Sequence, residues 1–469
     1  MKLTHSAKDF AVWLRSRKPE LAVFLLGALL RVSMSWTYPR GWAFDYSDHW
    51  DVVKFILDNG RIPQVEELRE AFHPPFFYVT SALWLKLGVT PAQLVAESIA
   101  CGIVRLGLIW AGLEIFVAHS RAARLSALAL AAVLAASVHV DGMVHPEALN
   151  GLWTTTAMLL AAVGFRRTGA ARWRMACAAG VVLGIGMLTK ISASIIVASL
   201  GAAAACELLL RRQSLRGRLR ASLPWVGTLG LCVAICGWYY ARNVRGYHKV
   251  FLTSFDLRFE HSLVAESDKT PYLYRRTLGF FVGWDPAIFR FPYSPTSIRP
   301  NSQFFPVAVA STFVDYWNYT FSGLSRDKPT QMTGLFFPLS PHILRVSQYA
   351  VAGGTVIFTA VVSAWFATIG KVLRRHDFAS FFLLLVPLIT VASAMHFAIA
   401  NPVDHYGVIK GLYMQFGAPP MYALFGLAVA WCLRKSDRWP LFALLMGALW
   451  LVGTYTIYCR LRLPLMPLG

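Results

Sequence analysis

Charge is scarce in this chain. Only 15% of its 469 residues are Asp, Glu, Lys or Arg, against roughly 25% in an average soluble domain. Acidic residues are scarcer still, 24 against 45 basic ones. Cysteine is sparse, seven in all, and all but Cys459 lie in apolar runs, as small core residues do. A soluble globular enzyme, a zinc module and a disulfide-stapled secreted domain are therefore excluded. What fills the chain is apolar: 56% hydrophobic residues, 14% aromatics and a mean hydropathy of +0.50. Disorder is excluded as well, because such a chain has ample surface to bury.

Apolar runs of roughly 14–22 residues, close to a bilayer core's requirement, recur at Leu21–Trp36, Ala96–Val117, Leu125–Val140, Ala148–Phe165, Met175–Leu188, Ile191–Leu210, Leu223–Tyr240, Tyr349–Ile369, Phe378–Ala398, Leu412–Leu433 and Trp439–Tyr458. The expected fold class is an all-α polytopic membrane protein with about eleven spanning helices. The first run has no small-residue cleavage site and reads as a retained helix. Lys and Arg cluster in residues 1–20 and in every second connection thereafter. The N-terminus and these connections belong on the cytoplasmic side. Most of the net charge of +21 is thus a topology signal, and no nucleic-acid partner is implied.

The organisation expected is a basic segment 1–20, a membrane module 21–240 that includes an outer loop 37–95, a large outer loop 241–348, and C-terminal helices 349–469. The two outer loops are rich in Trp, Tyr, Phe and Pro, which points to packed rather than floppy segments. Nine of twelve histidines fall on or near this outer side, so titratable chemistry gathers at one face.

Within the first loop, Asp45, Asp48, His49 and Asp51 cluster before a helical stretch Val52–Asn59. Such carboxylates at a membrane surface suit a general base, a metal site or both. A plainer reading has Ser47 or Asp48 capping the helix. His73-Pro74-Pro75 then precedes a short apolar stretch to Leu87, too short to span and suited to lying in the interface. The connection His139 to Glu147 includes Asp141 and His145 and puts Glu147 at an outer helix N-terminus, where a carboxylate favours the dipole or serves as a second acidic group. Lys190, Arg242 and Lys410 are fixed cations near the same face. Such residues either snorkel or hold an anionic headgroup.

Taken in order, these pieces resemble the GT-C superfamily of glycosyltransferases, in the polyprenyl-phosphate-dependent branch of protein O-mannosyltransferases and lipid A aminoarabinose transferases. The resemblance rests on Asp45…His49…Ile62-Pro63, His73-Pro74-Pro75-Phe76-Phe77-Tyr78, His145-Pro146-Glu147-Ala148-Leu149 and Gly184 to Thr189-Lys190. It continues through Trp238-Tyr239-Tyr240-Ala241-Arg242-Asn243, Phe305-Pro306 with Asp315-Tyr316-Trp317, and Lys410-Gly411-Leu412-Tyr413 with Pro419-Pro420. Glu147 stands where the family commonly has Asp, and Met414-Gln415-Phe416 replaces its usual residues after Tyr413.

The resemblance implies a hexosyl- or pentosyltransferase that passes a sugar, with inversion, from a polyprenyl-phosphate donor to a protein, lipid or glycan acceptor on the outer face, and the Ala/Arg/Leu-rich usage points to a bacterial inner membrane. It implies Asp45 as base, with Asp48 and His49 as local alternatives, and Glu147 orienting the acceptor. Lys410, Arg242, Lys190 and Tyr413 would hold the lipid phosphate, and His73, His145 and Asp141 would contact substrate. No cofactor is fixed by the residues. A divalent cation, Mg2+ or Mn2+, held by Asp45 and Glu147 is compatible with them. A transporter or flippase of lipid-linked sugars is the alternative from another class, although no internal repeat supports it.

Overall fold

The computed structural model describes residues 16–37, 46–211, 213–253, 256, 277–290, 292, 303–314, 323–324, 332–333, 341–400 and 409–462. Asp45, Asp315, Tyr316 and Trp317 lie outside the described residues. All eleven apolar runs are helical. They correspond to α1 (Lys18–Thr37), α4 (Pro91–Phe116), α5 with α6 (Arg121–Val133 and Ala135–Val140), α7 (Pro146–Phe165), α8 (Gly169–Thr189), α9 (Ser194–Leu210), α10 (Leu215–Tyr247), α13 (Pro341–Arg375), α14 (Phe378–Ala400), α15 (Pro419–Cys432) and α16 (Trp439–Arg462). The chain is an integral, multi-pass membrane protein.

Among the described residues, eight helices are long and apolar enough to cross a membrane. Two of the other runs are broken locally. The third run breaks at Leu134, whose extended backbone (φ −63°, ψ 119°) separates α5 from α6. The tenth starts as a 3-10 turn, Gly411–Gly417, and α15 follows with only 14 residues.

Between the spans lie shorter elements. The outer segment after α1 folds into α2 (Tyr46–Asn59) and α3 (Phe76–Lys86). The helix expected from Val52 starts at Tyr46 instead, which puts Asp48 inside its first turn, where its charge favours the dipole. Two further short helices, α11 (Leu278–Val282) and α12 (Phe304–Phe313), belong to the second outer loop. A two-residue antiparallel pair, Gly323–Leu324 with Met332–Thr333, lies there too.

With lipid outside, helix association relies on close packing and internal polar contacts. Gly426 of α15 approaches α5 so closely that a Cβ would lie 2.1 Å from the Ala123 carbonyl oxygen. Gly180 does the same between α8 and α10, with a Cβ 2.8 Å from the Thr228 oxygen. One apolar cluster joins α1, α4, α5, α13, α15 and α16. A second joins α7 to α10 and α14. The third forms a platform: Val52, Val53 and Ile56 of α2, Phe77 and Tyr78 of α3, Ile99 of α4 and Leu149 of α7 pack together, with Tyr413 against them.

A charge cluster locks this platform from below. Arg31 of α1 donates to Asp141 at 2.7 Å, and Arg105 of α4 reaches the same carboxylate oxygen at 3.4 Å. All three are buried, and Arg31 also donates to the carbonyls of Gly27 and Ala132. Two guanidiniums on one carboxylate tie three helices at the depth where the chain turns toward His145.

Candidate active site

Helix α7 opens on the site. His145 is its N-cap and Pro146 its first residue, and the His145 Nδ1 accepts from the Glu147 backbone N–H at 3.2 Å. That bond leaves the imidazole proton on Nε2. Glu147, in the first turn, is 2% exposed and pairs with Lys190 Nζ at 2.7 Å. Lys190 sits where the helical backbone breaks. Its φ of −157° and ψ of 140° separate α8 from the 3-10 turn Ile191–Ala193. The two halves are pinned beside α7 by Asn150, which donates to Ser192 at 3.0 Å.

Tyr413 enters from the 3-10 turn before α15. Its ring lies under two cations, Lys190 Nζ 5.0 Å and Lys410 Nζ 4.8 Å from the centroid. Lys410 also donates to the Tyr413 hydroxyl at 3.1 Å. Lys190 and Lys410 are 7% and 4% exposed. Two lysines so buried are not snorkelling into water. The turn is held by Gly411, whose N–H donates to Ser311 of α12 at 2.7 Å. A Cβ on Gly411 would meet Thr312 Oγ1 at 2.2 Å, so only glycine permits this approach. The next two residues of the turn, Met414 and Gln415, line an apolar cavity of about 80 Å3 together with Phe304, Phe305, Phe358 and Met421.

On the other flank of His145 stand two more histidines. His49 of α2 meets His145 edge to face at 4.5 Å between ring centroids, and His73 at 5.6 Å. His49 Nδ1 shares a 2.7 Å hydrogen bond with the Tyr78 hydroxyl, and His73 Nε2 lies 3.0 Å from Glu70 Oε2. All three imidazoles are held well below the ordinary histidine pKa. Burial is the main cause, and for each the Lys190 charge adds to it. Mutual repulsion contributes at His49 and His145. At neutral pH they are uncharged donors and acceptors.

Of the residues expected from sequence, Glu147, Lys190, Lys410, Tyr413, His49, His73 and His145 form one connected set. Asp48 is on α2 but half-exposed and paired with Arg69 at 3.3 Å. Arg242 lies inside α10 rather than past its end. It stacks on Tyr239 at 4.6 Å, and Tyr239 donates to the Phe72 carbonyl at 2.6 Å, so it borders the His73 side of the site. Asp141 is fully buried in the double arginine pair. Sequence reading missed Glu70 and Tyr78. Glu70 stands three residues before His73, a spacing that was a legible signal.

Residues 72–240 match the protein family described as dolichyl-phosphate-mannose-protein mannosyltransferase. No curated protein matches the chain. Among solved structures, the oligosaccharyltransferase AglB of Archaeoglobus fulgidus, in complex with an inhibitory peptide and a dolichol-phosphate, is similar with a TM-score of 0.53 and 13% identity, covering 96% of this chain and 56% of that one. The apo form of the Archaeoglobus fulgidus enzyme gives 0.50 and 14%, covering 95% and 55%. ArnT from Cupriavidus metallidurans bound to undecaprenyl phosphate gives 0.35 and 14%, covering 96% and 78%, a likeness too weak to bear on the fold. The chain spans about half the length of the oligosaccharyltransferases it matches.

Proposed function

Given a GT-C fold with a mannosyltransferase-family region over residues 72–240, we propose that this protein transfers a sugar from a polyprenyl-phosphate carrier to an acceptor at the non-cytoplasmic membrane face. The observation that carries the reading is the buried Lys190–Tyr413–Lys410 cluster, whose turn runs on into an apolar cavity. Paired cations beside an apolar recess match a phosphate on a lipid chain. The matched family is named for a dolichyl-phosphate donor, and AglB was solved with dolichol-phosphate, which supports the same chemistry.

In this reading the phosphate sits against Lys410, Lys190 and the Tyr413 hydroxyl, with Arg242 as a further cation. A carboxylate takes the proton of the acceptor hydroxyl, the acceptor oxygen bonds to the anomeric carbon, and the bond from that carbon to phosphate oxygen breaks. Attack opposite the leaving phosphate inverts the anomeric centre. Charge grows on the departing phosphate, where the lysines stabilise it. Asp45 is the base by its place in the sequence. Glu147, oriented by Lys190, and the neutral imidazole of His145 position the acceptor. The site faces away from the cytoplasm, the N-terminus lies inside, and the membrane is a bacterial inner membrane.

The test is transfer by purified protein from a panel of polyprenyl-phosphate sugars, wild type against Asp45→Asn. Transfer should vanish in the variant while carrier binding and thermal stability persist. An unchanged rate would remove Asp45 as the base. Vesicles that move the lipid-linked sugar across the bilayer without transferring it would mark a transporter instead.

A further inference from the structure

The fold of the first outer segment joins residues that sequence reading kept apart. His49 on α2, and Glu70 and His73 in the turns before α3, each offer one ligand atom within 4.8 Å of the others. His49 and Glu70 are 2% and 4% exposed, and the His73 side chain is 12% exposed. We propose that these three residues bind one zinc-class divalent cation and leave a coordination position open.

The donor set carries the argument. Two imidazoles and one carboxylate are the protein ligands of an open zinc site. Nitrogen donors select against Mg2+ and Ca2+, which take oxygen ligands. Glu147, the carboxylate that sequence reading offered to a hard cation, already faces Lys190 at 2.7 Å. Ligand atoms around a tetrahedral zinc ion, each at about 2.0–2.1 Å from it, stand roughly 3.4 Å apart. The set therefore closes onto an ion by shifts of little more than about 1 Å, within the reach of side-chain rotation. Glu70 and His73 are already in contact at 3.0 Å.

The outer shell is built as well. The Tyr78 hydroxyl holds His49 through Nδ1 at 2.7 Å, which fixes the ring and leaves Nε2 as its ligand atom. Buried His73 Nδ1 has no hydrogen-bond partner among the described residues. A small cleft of Phe72, His73, Pro74, Tyr239 and Asn243 adjoins that ring, and the buried Asn243 Oδ1 in it is likewise unpartnered. An open zinc position takes an oxygen ligand such as water. The alternative is a hydrogen-bonded buried cluster with no metal affinity.

The test uses the full chain, purified in detergent without a polyhistidine tag and stripped with chelator. Zinc content is read by mass spectrometry after equilibrium dialysis. About one zinc per chain should bind, and excess Mg2+ should not displace it. His49→Ala and His73→Ala should each weaken uptake roughly tenfold or more. Co2+ loading should give visible ligand-field bands that these variants lose. Glu70→Gln and Tyr78→Phe keep side-chain shape, so they cover the case in which a histidine variant fails to fold, and both should weaken binding. No uptake by wild type, equal uptake by the His49→Ala/His73→Ala double variant, or unchanged affinity in Glu70→Gln overturns the proposal. Binding is read without any transfer assay, so this inference and the transferase reading fail separately.

Discussion

Replacing Lys190 by Met keeps an unbranched side chain, one atom shorter, and removes the charge paired with Glu147, 2.7 Å away. The two side chains are 9% and 2% exposed, so water cannot take the place of the lost ammonium. Removing one partner of such a pair costs about 3–5 kcal/mol, because the other charge is left buried and uncompensated. Loss of the cation–π contact with Tyr413 adds about 0.5–2 kcal/mol. Glu147→Gln retains an acceptor for Lys190, and Tyr413 still faces that lysine, so its cost should be smaller, about 1–3 kcal/mol. The double variant removes both charges and should be less destabilised than the sum of the singles, with a coupling energy of about 2 kcal/mol. Denaturant unfolding in a single detergent, followed by tryptophan fluorescence, measures the cycle. Additivity within about 0.5 kcal/mol would refute the claim that the pair is buried and mutually dependent. Carrier affinity separates the two roles of Lys190: the double variant should recover stability without recovering phosphate binding.

Lys410→Ala removes one charge-assisted contact to the phosphate, about 1.5–3 kcal/mol, and should raise the Kd for a polyprenyl phosphate roughly ten- to hundred-fold; unchanged affinity would mark a merely structural lysine. Ala308→Trp, placed in the apolar cavity of about 80 Å3, should weaken long-chain carriers while sparing a short-chain analogue, and equal losses for both would argue against a tail site there. Asp141→Asn leaves Arg31 and Arg105 without their shared carboxylate and should cost about 3–5 kcal/mol. Thermal unfolding reads that loss, and a change within about 1 kcal/mol would count against the lock between α1 and α4.

The spans were legible because a bilayer demands long apolar runs, and a helix is the simplest way to satisfy backbone groups there. Their interruptions were not. Leu134 and the turn Gly411–Gly417 look as apolar as their neighbours; their breaks bring residues 139–147 and 410–413 together around Tyr413 and Glu147. The site was legible in part. Lys190, Glu147, Lys410 and Tyr413 stood out because charge in a greasy chain is costly. That Glu147 chooses Lys190, and that Tyr413 separates two lysines, depended on packing between α7, α8 and the 410–417 turn.

Arg31, Arg105 and Asp141 mark the limit most clearly. In sequence they are two isolated cations inside apolar runs and one loop carboxylate 36 to 110 residues away. Only the close approach of α1, α4 and the end of α6 turns them into one buried, ion-paired cluster. His49, Glu70 and His73 come together by the same logic in the segment after α1. The sequence by itself determined that the chain is a membrane protein, which connections carry positive charge, and which residue types gather at one face, because these follow from local transfer free energies. Tertiary structure decided which charges pair with each other, because pairing depends on distances of a few ångströms between residues far apart in the chain.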